Sequence, residues 1–383
     1  MDGTCAGTVS WRGESLKPVW KVPTNTGFSS FAVSDGKVFT QVVRDVKGTP
    51  REGCVALDAA QGTELWFADL GLGKGYSGGG QGDGPRSTPT VNDGMVYLVS
   101  PELVVLAVDA KTGKTVWRRD LIKQHAGRNI KWRSAASAVV DGELVFVGGG
   151  GAGQSALALN KKTGAVVWKA LDETITHAMP VATTILGQRQ IIFFMVSGLV
   201  SLEPKDGKVL WRFPFPFKTS TAASPVVSGD IVYCSAGYGV GGGACRIVKQ
   251  GPGFAARKLW MIPGNKQVAN HWSTPVCKDG YLYGMFCFKK FRKGPVKCVE
   301  AATGKICWSQ PGFGQGNLIL VGNTLLALSD TGVLVAIEAT PKAYKEIARM
   351  NAVGGKCWST PAFSNGRVYV RSTSEGVCLQ VGK

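Results

Sequence analysis

VALDAAQGTELW, from Val55 to Trp66, is one copy of a phrase that decides how this chain folds. LAVDAKTGKTVW (Leu106 to Trp117), LALNKKTGAVVW (Leu157 to Trp168), VSLEPKDGKVLW (Val200 to Trp211) and KCVEAATGKICW (Lys297 to Trp308) repeat it. The closing tryptophans are spaced by 51, 51, 43 and 97 residues, and the widest gap hides a further unit ending at Trp260. A period of about 48 in a chain of 383 residues leaves room for eight units. A repeat of that length sets the architecture before any local motif is weighed.

Each phrase reads as a β-hairpin. Val104 to Val108 is apolar and β-branched, Ala110 to Gly113 is a turn, and Thr115 to Trp117 resumes a strand. Glycine holds one place in all five copies (Gly62, Gly113, Gly164, Gly207, Gly304), where a positive φ costs it least. An acid or amide precedes the turn (Asp58, Asp109, Asn160, Glu203, Glu300) and is suited to capping the turn amides. A second hairpin lies upstream, as in PTVNDGMVYLV (Pro89 to Val99) and PAFSNGRVYVR (Pro361 to Arg371). Four locally connected antiparallel strands per unit describe a propeller blade.

The reading is therefore an all-β single domain, an eight-bladed β-propeller of four-stranded antiparallel blades. The blades fall near 28–70, 86–121, 133–171, 177–214, 221–262, 271–311, 315–350 and 357–383. The seventh has no tryptophan, and Ile347 or Glu346 stands in its place. The eighth stops after VCLQVGK and lacks its outer strand. KPVW (Lys17 to Trp20) matches KTVW (Lys114 to Trp117), so residues 16–23 are expected to close the ring and remove its exposed edges. Trp20, Trp66, Trp117, Trp168, Trp211, Trp260 and Trp308 are structural, each locking one blade to the next.

The phrase ALDAxTGxxxW and its recurrence resemble the pyrroloquinoline-quinone-like (PQQ-like) propeller repeat family, over nearly the whole chain from about Trp11 onward. The resemblance implies the fold strongly and the function weakly. That family holds quinone-dependent dehydrogenases and non-catalytic proteins such as the BamB-type outer-membrane assembly lipoprotein. Its exported relatives imply a periplasmic or cell-surface protein. Cys5 is the one cysteine near the start, and no lipobox precedes it.

Composition narrows this further. No apolar run reaches the eighteen or so residues of a membrane helix, and residues 1–15 carry no apolar signal core. A net charge of +18 points to an anionic partner: a lipid surface, an acidic polysaccharide or a carboxylated cofactor. No nucleic-acid motif accompanies the charge, so nucleic acid is disfavoured. FKKFRKG (Phe288 to Gly294) reads as a solvated hairpin tip. The ten cysteines form no CxxC, and Cys298 and Cys378 share a column with Ala56, Ala107 and Ala158. They read as small packed thiols, although Cys234 with Cys245 or Cys287 with Cys298 could pair across hairpins.

Side chains just before each blade converge on a propeller's channel. One column there holds Phe28, Arg86, Ser134, His177, Ala222, Trp272, Gly314 and Trp358. The column before it includes Arg133 and His271, and Trp132 is adjacent. Arg86, Arg133, His177, His271, Trp272, Trp358 and Trp132 thus form the candidate ligand-binding set. Rings and cations suit a flat anion through stacking and charge-assisted hydrogen bonds. Blade packing accounts equally for the tryptophans, and a satisfied core role equally for the histidines.

The larger dehydrogenases of the family carry a vicinal cysteine pair, and no two cysteines are adjacent here. They also hold calcium or a lanthanide on acidic and amide groups, for which Asp83, Asn270 and Asp172 are the nearby polar residues. The glycine-rich stretch Gly71 to Arg86 lacks the spacing of a phosphate loop and reads as a mobile loop on the channel face. The expectation is a monomeric, non-catalytic binding scaffold for a protein or an anionic envelope component, with no cofactor. The alternative is an oxidoreductase or sensor using PQQ with calcium.

Overall fold

The computed structural model describes residues 3–13, 15–73 and 84–382. Eight sheets form eight blades, each of four antiparallel strands hydrogen-bonded in sequence, and the first strands of neighbouring blades touch around the channel. Blade three is typical: Val139–Asp141, Leu144–Gly148, Ala156–Asn160 and Val166–Ala170 run from channel to rim. Among the described residues the one α-helix is Leu121–Gln124.

The phrase builds the joint between blades. Trp117 pairs with Ala107 across its own hairpin, and its indole N–H donates to the Lys161 carbonyl of the next blade at 2.9 Å. Trp20, Trp66, Trp168, Trp260 and Trp308 donate likewise to Ala59, Ala110, Pro204, Ala301 and Thr340, at 2.7–3.2 Å. The turn glycine has a second reason to be glycine. Gly164 has φ +68°, and a Cβ there would lie 2.6 Å from the Trp117 ring. Gly62, Gly113, Gly207 and Gly304 meet Trp20, Trp66, Trp168 and Trp260 in the same way. Capping follows the shorter side chains, because Asp58, Asp109 and Asn160 each accept two turn amides through Oδ1.

Two joints depart from the rule. Trp211 donates to Gln190 Oε1 within its own blade, at 2.7 Å, instead of locking the next. The fifth blade there replaces the phrase with a long hairpin, Gly241–Gln250 and Gly253–Ile262, and has no equivalent turn. In the seventh blade the register pairs Ala336 with Ala348, so Ala348 occupies the tryptophan place and not Ile347 or Glu346. The same bulge stands in the other blades, but the turn is longer here: Ala348 lies twelve residues after Ala336, where Trp117 lies ten after Ala107. Trp11, from the N-terminal segment, is buried in the same cluster as Ala348 between blades seven and eight.

The ring closes as the repeat requires. Pro18–Pro23 pairs antiparallel with Glu375–Gln380, and Trp20 faces Cys378. A second lock lies alongside. Arg371 is fully buried and donates to Thr40 Oγ1 and to the carbonyls of Asn25, Gly27, Gln41 and Ser372, at 2.6–3.3 Å. Burial lowers its pKa to about 10, so it stays cationic, held by acceptors of the first blade. An unexpected strand precedes the closure. Thr4–Cys5 pairs parallel with Leu320 and Val321, at the channel end away from the blade starts. A Cβ on Gly3 would meet Val276 at 2.7 Å, so glycine lets this segment lie against the inner wall.

The cysteines are free thiols, most of them buried, and neither Cys234 with Cys245 nor Cys287 with Cys298 is bridged. Burial raises the pKa of Cys245 and Cys287 to about 12.

Removing residues 1–23 is expected to strip the last blade of its outer strand, lower the melting temperature and promote aggregation. A truncated protein that melts with the intact one would refute the closure. Gly164→Ala is expected to cost about 1–3 kcal/mol, from left-handed strain and from collision with Trp117. Gly142→Ala, at φ +57° with open space around it, should cost less in the same denaturant titration.

Candidate functional site at the channel mouth

The crossings between blades, together with the loops joining second to third strands, all emerge on one face. They surround a cavity of about 390 Å³. Arg86, Trp132, His177, His271, Trp272 and Trp358 line it, as the converging columns require. Arg133 does not; its guanidinium turns to Glu102 at 3.5 Å.

The rings form a nearly continuous crown. Phe28 and Phe291 both stack on Trp358, at 5.0 Å and 5.8 Å between centroids. Trp272 tilts against Trp358 at 5.0 Å, and His271 meets Trp272 at 4.9 Å. Tyr238 follows at 5.4 Å from His271 and stacks on Trp132 at 6.2 Å. Cations lie over the rings: Arg86 over Phe28, Lys131 over Trp132, Lys289 over Tyr238 and Lys356 over Trp358, at 4.8–5.8 Å. Such pairs contribute about 0.5–2 kcal/mol each and hold the ammonium groups at the mouth. No carboxylate lines the cavity among the described residues.

The basic tip Phe288 to Gly294 is exposed from Lys289 to Lys293, as its charge suggests, but it is also anchored at the mouth. Lys289 and Phe291 line the cavity, and Phe288 packs on Tyr238 at 4.8 Å. Asp330 of the next blade accepts the Arg292 amide at 2.8 Å and the Gln315 amide at 3.1 Å, which ties the tip inward. Its aromatic residues draw it over the mouth, an effect that its charge alone conceals. Backbone strain collects at the same place. Trp132, Arg133, Tyr238, Lys289 and Arg292 all have φ between +51° and +65°. A large residue held there costs about 1–3 kcal/mol and persists where surrounding structure over-determines it.

Both histidines are neutral, and His177 is hydrogen-bonded through both ring nitrogens whereas Nδ1 of His271 is buried without a partner. His177 Nε2 faces the Lys131 carbonyl at 2.8 Å, which can only accept, so Nε2 carries the proton and Nδ1 accepts from the Ser220 hydroxyl at 2.9 Å. Burial lowers the His177 pKa to about 4, with Arg86 adding to the effect. Burial lowers that of His271 to about 3, helped by His177 and Lys289. A base that weak is poorly matched to taking a serine proton near neutrality. Asn270 is committed to the core, bonded to the Tyr233 hydroxyl and the Met285 carbonyl, and Asp172 accepts the Gly153 amide. Asp83, and residues 74–83 of the glycine-rich stretch, lie outside the described residues. No cluster of metal-ligating side chains forms among the described residues.

The family model for the outer membrane protein assembly factor BamB matches residues 5–170, 51–261 and 292–380. The chain belongs to the PQQ-like propeller family. This PQQ-like propeller is 20% identical to BamB of Yersinia pestis over 72% of its own length and 68% of that protein. It is 32% identical to the quinoprotein alcohol dehydrogenase PedH of Pseudomonas putida over 36% of its own length. The match spans only 24% of that enzyme. Among solved structures, BamB of Moraxella catarrhalis superposes with a TM-score of 0.67 at 16% identity, covering 96% and 98% of the two chains. That last likeness is one of fold.

Sequence columns found the crown members that precede a blade. They missed Tyr238, Phe291, Lys289, Met179 and Ser220, which also line the cavity. Tyr238 and the basic tip sit on loops between middle strands, where repeats differ in length and no column aligns them. The residue pair Phe288 and Phe291 inside a charged run was the available signal.

Both histidines are charged below about pH 6.5 in the unfolded chain and neutral in the folded one. The unfolded chain therefore binds more protons, and stability falls as pH drops from about 6.5 toward 4. His177→Gln should flatten that decline in urea midpoints, by about 1.4 kcal/mol per unit of depressed pKa. Parallel curves for variant and parent would contradict the assignment.

Proposed function

We propose that this chain is a non-catalytic binding propeller of the cell envelope, periplasmic or at the cell surface. It works as a monomer and engages a protein or an anionic envelope component through its channel mouth. The observation that carries this reading is the crown itself: aromatic planes backed by Arg86, Lys131, Lys289 and Lys356, with no carboxylate among the described lining residues. Such a mouth holds an anion and offers no working acid, base or nucleophile. The histidine pKa values are depressed, His177 is bonded through both ring nitrogens, and Cys287 beneath the tip is a buried, protonated thiol. The relatives named as outer membrane assembly factors match over two thirds of both chains, which supports an envelope scaffold. No helix among the described residues is long and apolar enough to cross a membrane.

A second reading keeps the quinone. The crown suits a planar, carboxylated ring, with Arg86 and Lys289 as counter-charges and Trp272 and Trp358 as walls. The calcium that accompanies it in the dehydrogenases does not fit the described residues, because none of the lining groups is a carboxylate or amide.

Titration with pyrroloquinoline quinone and calcium, followed by dye reduction with alcohols and sugars, separates the two. No turnover is expected. Reduction that disappears in Arg86→Ala or Trp272→Ala would overturn the scaffold reading in favour of an oxidoreductase.

A further inference from the structure

The net charge of the chain is distributed unequally between its two faces. On the face opposite the mouth, turn lysines lie among turn acids: Lys161 bonds Asp93 at 2.9 Å and Glu143 at 2.8 Å, and Lys345 bonds Glu338 at 2.5 Å. Arg189 bonds Asp141 there as well. On the mouth face the basic tip projects Lys289, Lys290, Arg292 and Lys293, all exposed, and the crossings add the exposed Lys131 and Lys218. Among the described residues no carboxylate makes an ion pair with the side chain of Lys131 or of these tip residues; Asp330 reaches the tip through the Arg292 backbone amide. Unpaired cations gathered on one face raise the local concentration of an anionic partner and steer its approach.

The cavity in their midst adds a second constraint. Its polar side chains are mostly donors or already committed: Arg86 and Lys289 donate and His177 and Ser220 bond each other, which leaves the Tyr238 hydroxyl and the unpartnered Nδ1 of His271 as the few remaining polar atoms. A neutral or acidic sugar brings many hydroxyl donors that need acceptors, and the lining side chains supply hardly any. A membrane surface is flat and cannot fill a recessed mouth. A peptide meets both demands, since carboxylates only accept and an aromatic side chain asks for neither donor nor acceptor. The cavity, at about 390 Å³, falls within the range of about 300–1,000 Å³ used for small ligands and anchors. Trp358 has Phe28 and Phe291 stacked against it and Lys356 above it, which leaves ring edges toward the opening. Aromatic edges carry partial positive charge and favour the face of an incoming ring or a carboxylate.

We propose that the mouth is a receptor for an acidic peptide segment of a partner protein, with one aromatic residue seated in the crown and flanking Asp or Glu side chains on Arg86, Lys131 and the basic tip. This deepens the scaffold reading and rests on it.

The test uses the whole chain and a short fluorescein-labelled peptide with one phenylalanine between runs of Asp and Glu. Saturable anisotropy is expected, weakening as salt rises from about 10 to about 150 mM and the Debye length shrinks from about 30 to about 8 Å. Lys289→Glu, on an exposed side chain, should weaken binding by about tenfold or more, as should replacing the peptide's phenylalanine with alanine. Trp358→Ala should abolish it, with the melting curve recorded beside it. Binding that ignores Lys289→Glu, or that is equal for the alanine peptide, would overturn the proposal. So would stronger, mouth-dependent binding of polygalacturonate or phosphatidylglycerol vesicles, in which case the anion is a glycan or a lipid. Quinone-dependent dye reduction would sink the scaffold reading separately, whatever the peptide does.

Discussion

An indole lying on a glycine of the next blade is the contact on which the rest of this molecule depends. A propeller blade buries its faces only against its neighbours, so each joint has to fix both distance and rotation. The indole N–H does the first, by reaching a turn carbonyl at 2.7–3.2 Å in six joints. The ring does the second in five of the six, because only a residue without Cβ lets it lie flat on the turn; at Gly113 and Gly207 a Cβ would come within 2.7 Å of it. In the sixth, Tyr344 packs edge-on against Trp308. Positive φ and close approach then demand the same residue for two independent reasons. This explains why glycine never varies in the phrase while its neighbours do.

The same contact shows where the ring needs help. Two joints lack it, after the fourth blade and after the seventh. After the fourth, Trp211 turns inward to Gln190, and the long fifth-blade hairpin supplies the packing, with Phe213 and Phe215 in a shared cluster. After the seventh, Ala348 leaves room beside Trp11, which the N-terminal segment brings back. That segment also supplies Pro18–Pro23 to the eighth blade and the parallel strand Thr4–Cys5 to the seventh. One of the two joints without the indole contact thus lies beside the closure, and Arg371 bonds across the closure itself to the first blade. A buried guanidinium satisfied by neutral acceptors strongly favours the closed ring, since opening it would strand the charge.

Periodicity made the fold legible, because each position of the phrase has a packing duty that recurs. The same property limited the site. Arg86, His177, Trp272 and Trp358 could be found because they occupy one column before each blade, and the columns converge geometrically. Tyr238 and Phe291 could not, because they ride on loops whose lengths differ from blade to blade and whose left-handed residues no propensity announces. The basic tip was legible in part: its cations are exposed, as charge density suggests, while Phe288 on Tyr238 and the Arg292 amide on Asp330 hold it over the mouth. Arg133 misled, because its column points to the channel but Glu102 lies nearer and takes it.

The joints made by the phrase lie on the face opposite the mouth, where Lys161, Lys162 and Lys345 meet carboxylates. The mouth side also bonds across blades, as Trp272 does to the Gln315 carbonyl, and Arg133 and Arg212 meet carboxylates there. Lys131 and the tip side chains, by contrast, make no ion pair among the described residues. Burial keeps His177 and His271 neutral and so removes from the mouth two groups that would make its charge vary near neutrality. What remains is set by lysine and arginine, which hold their charge over the physiological range, and by Glu52, whose pKa burial raises to about 8 against the lowering pull of Arg86. Such a mouth should therefore be governed by ionic strength and by the shape of the anchor, with any pH dependence near neutrality traced to Glu52.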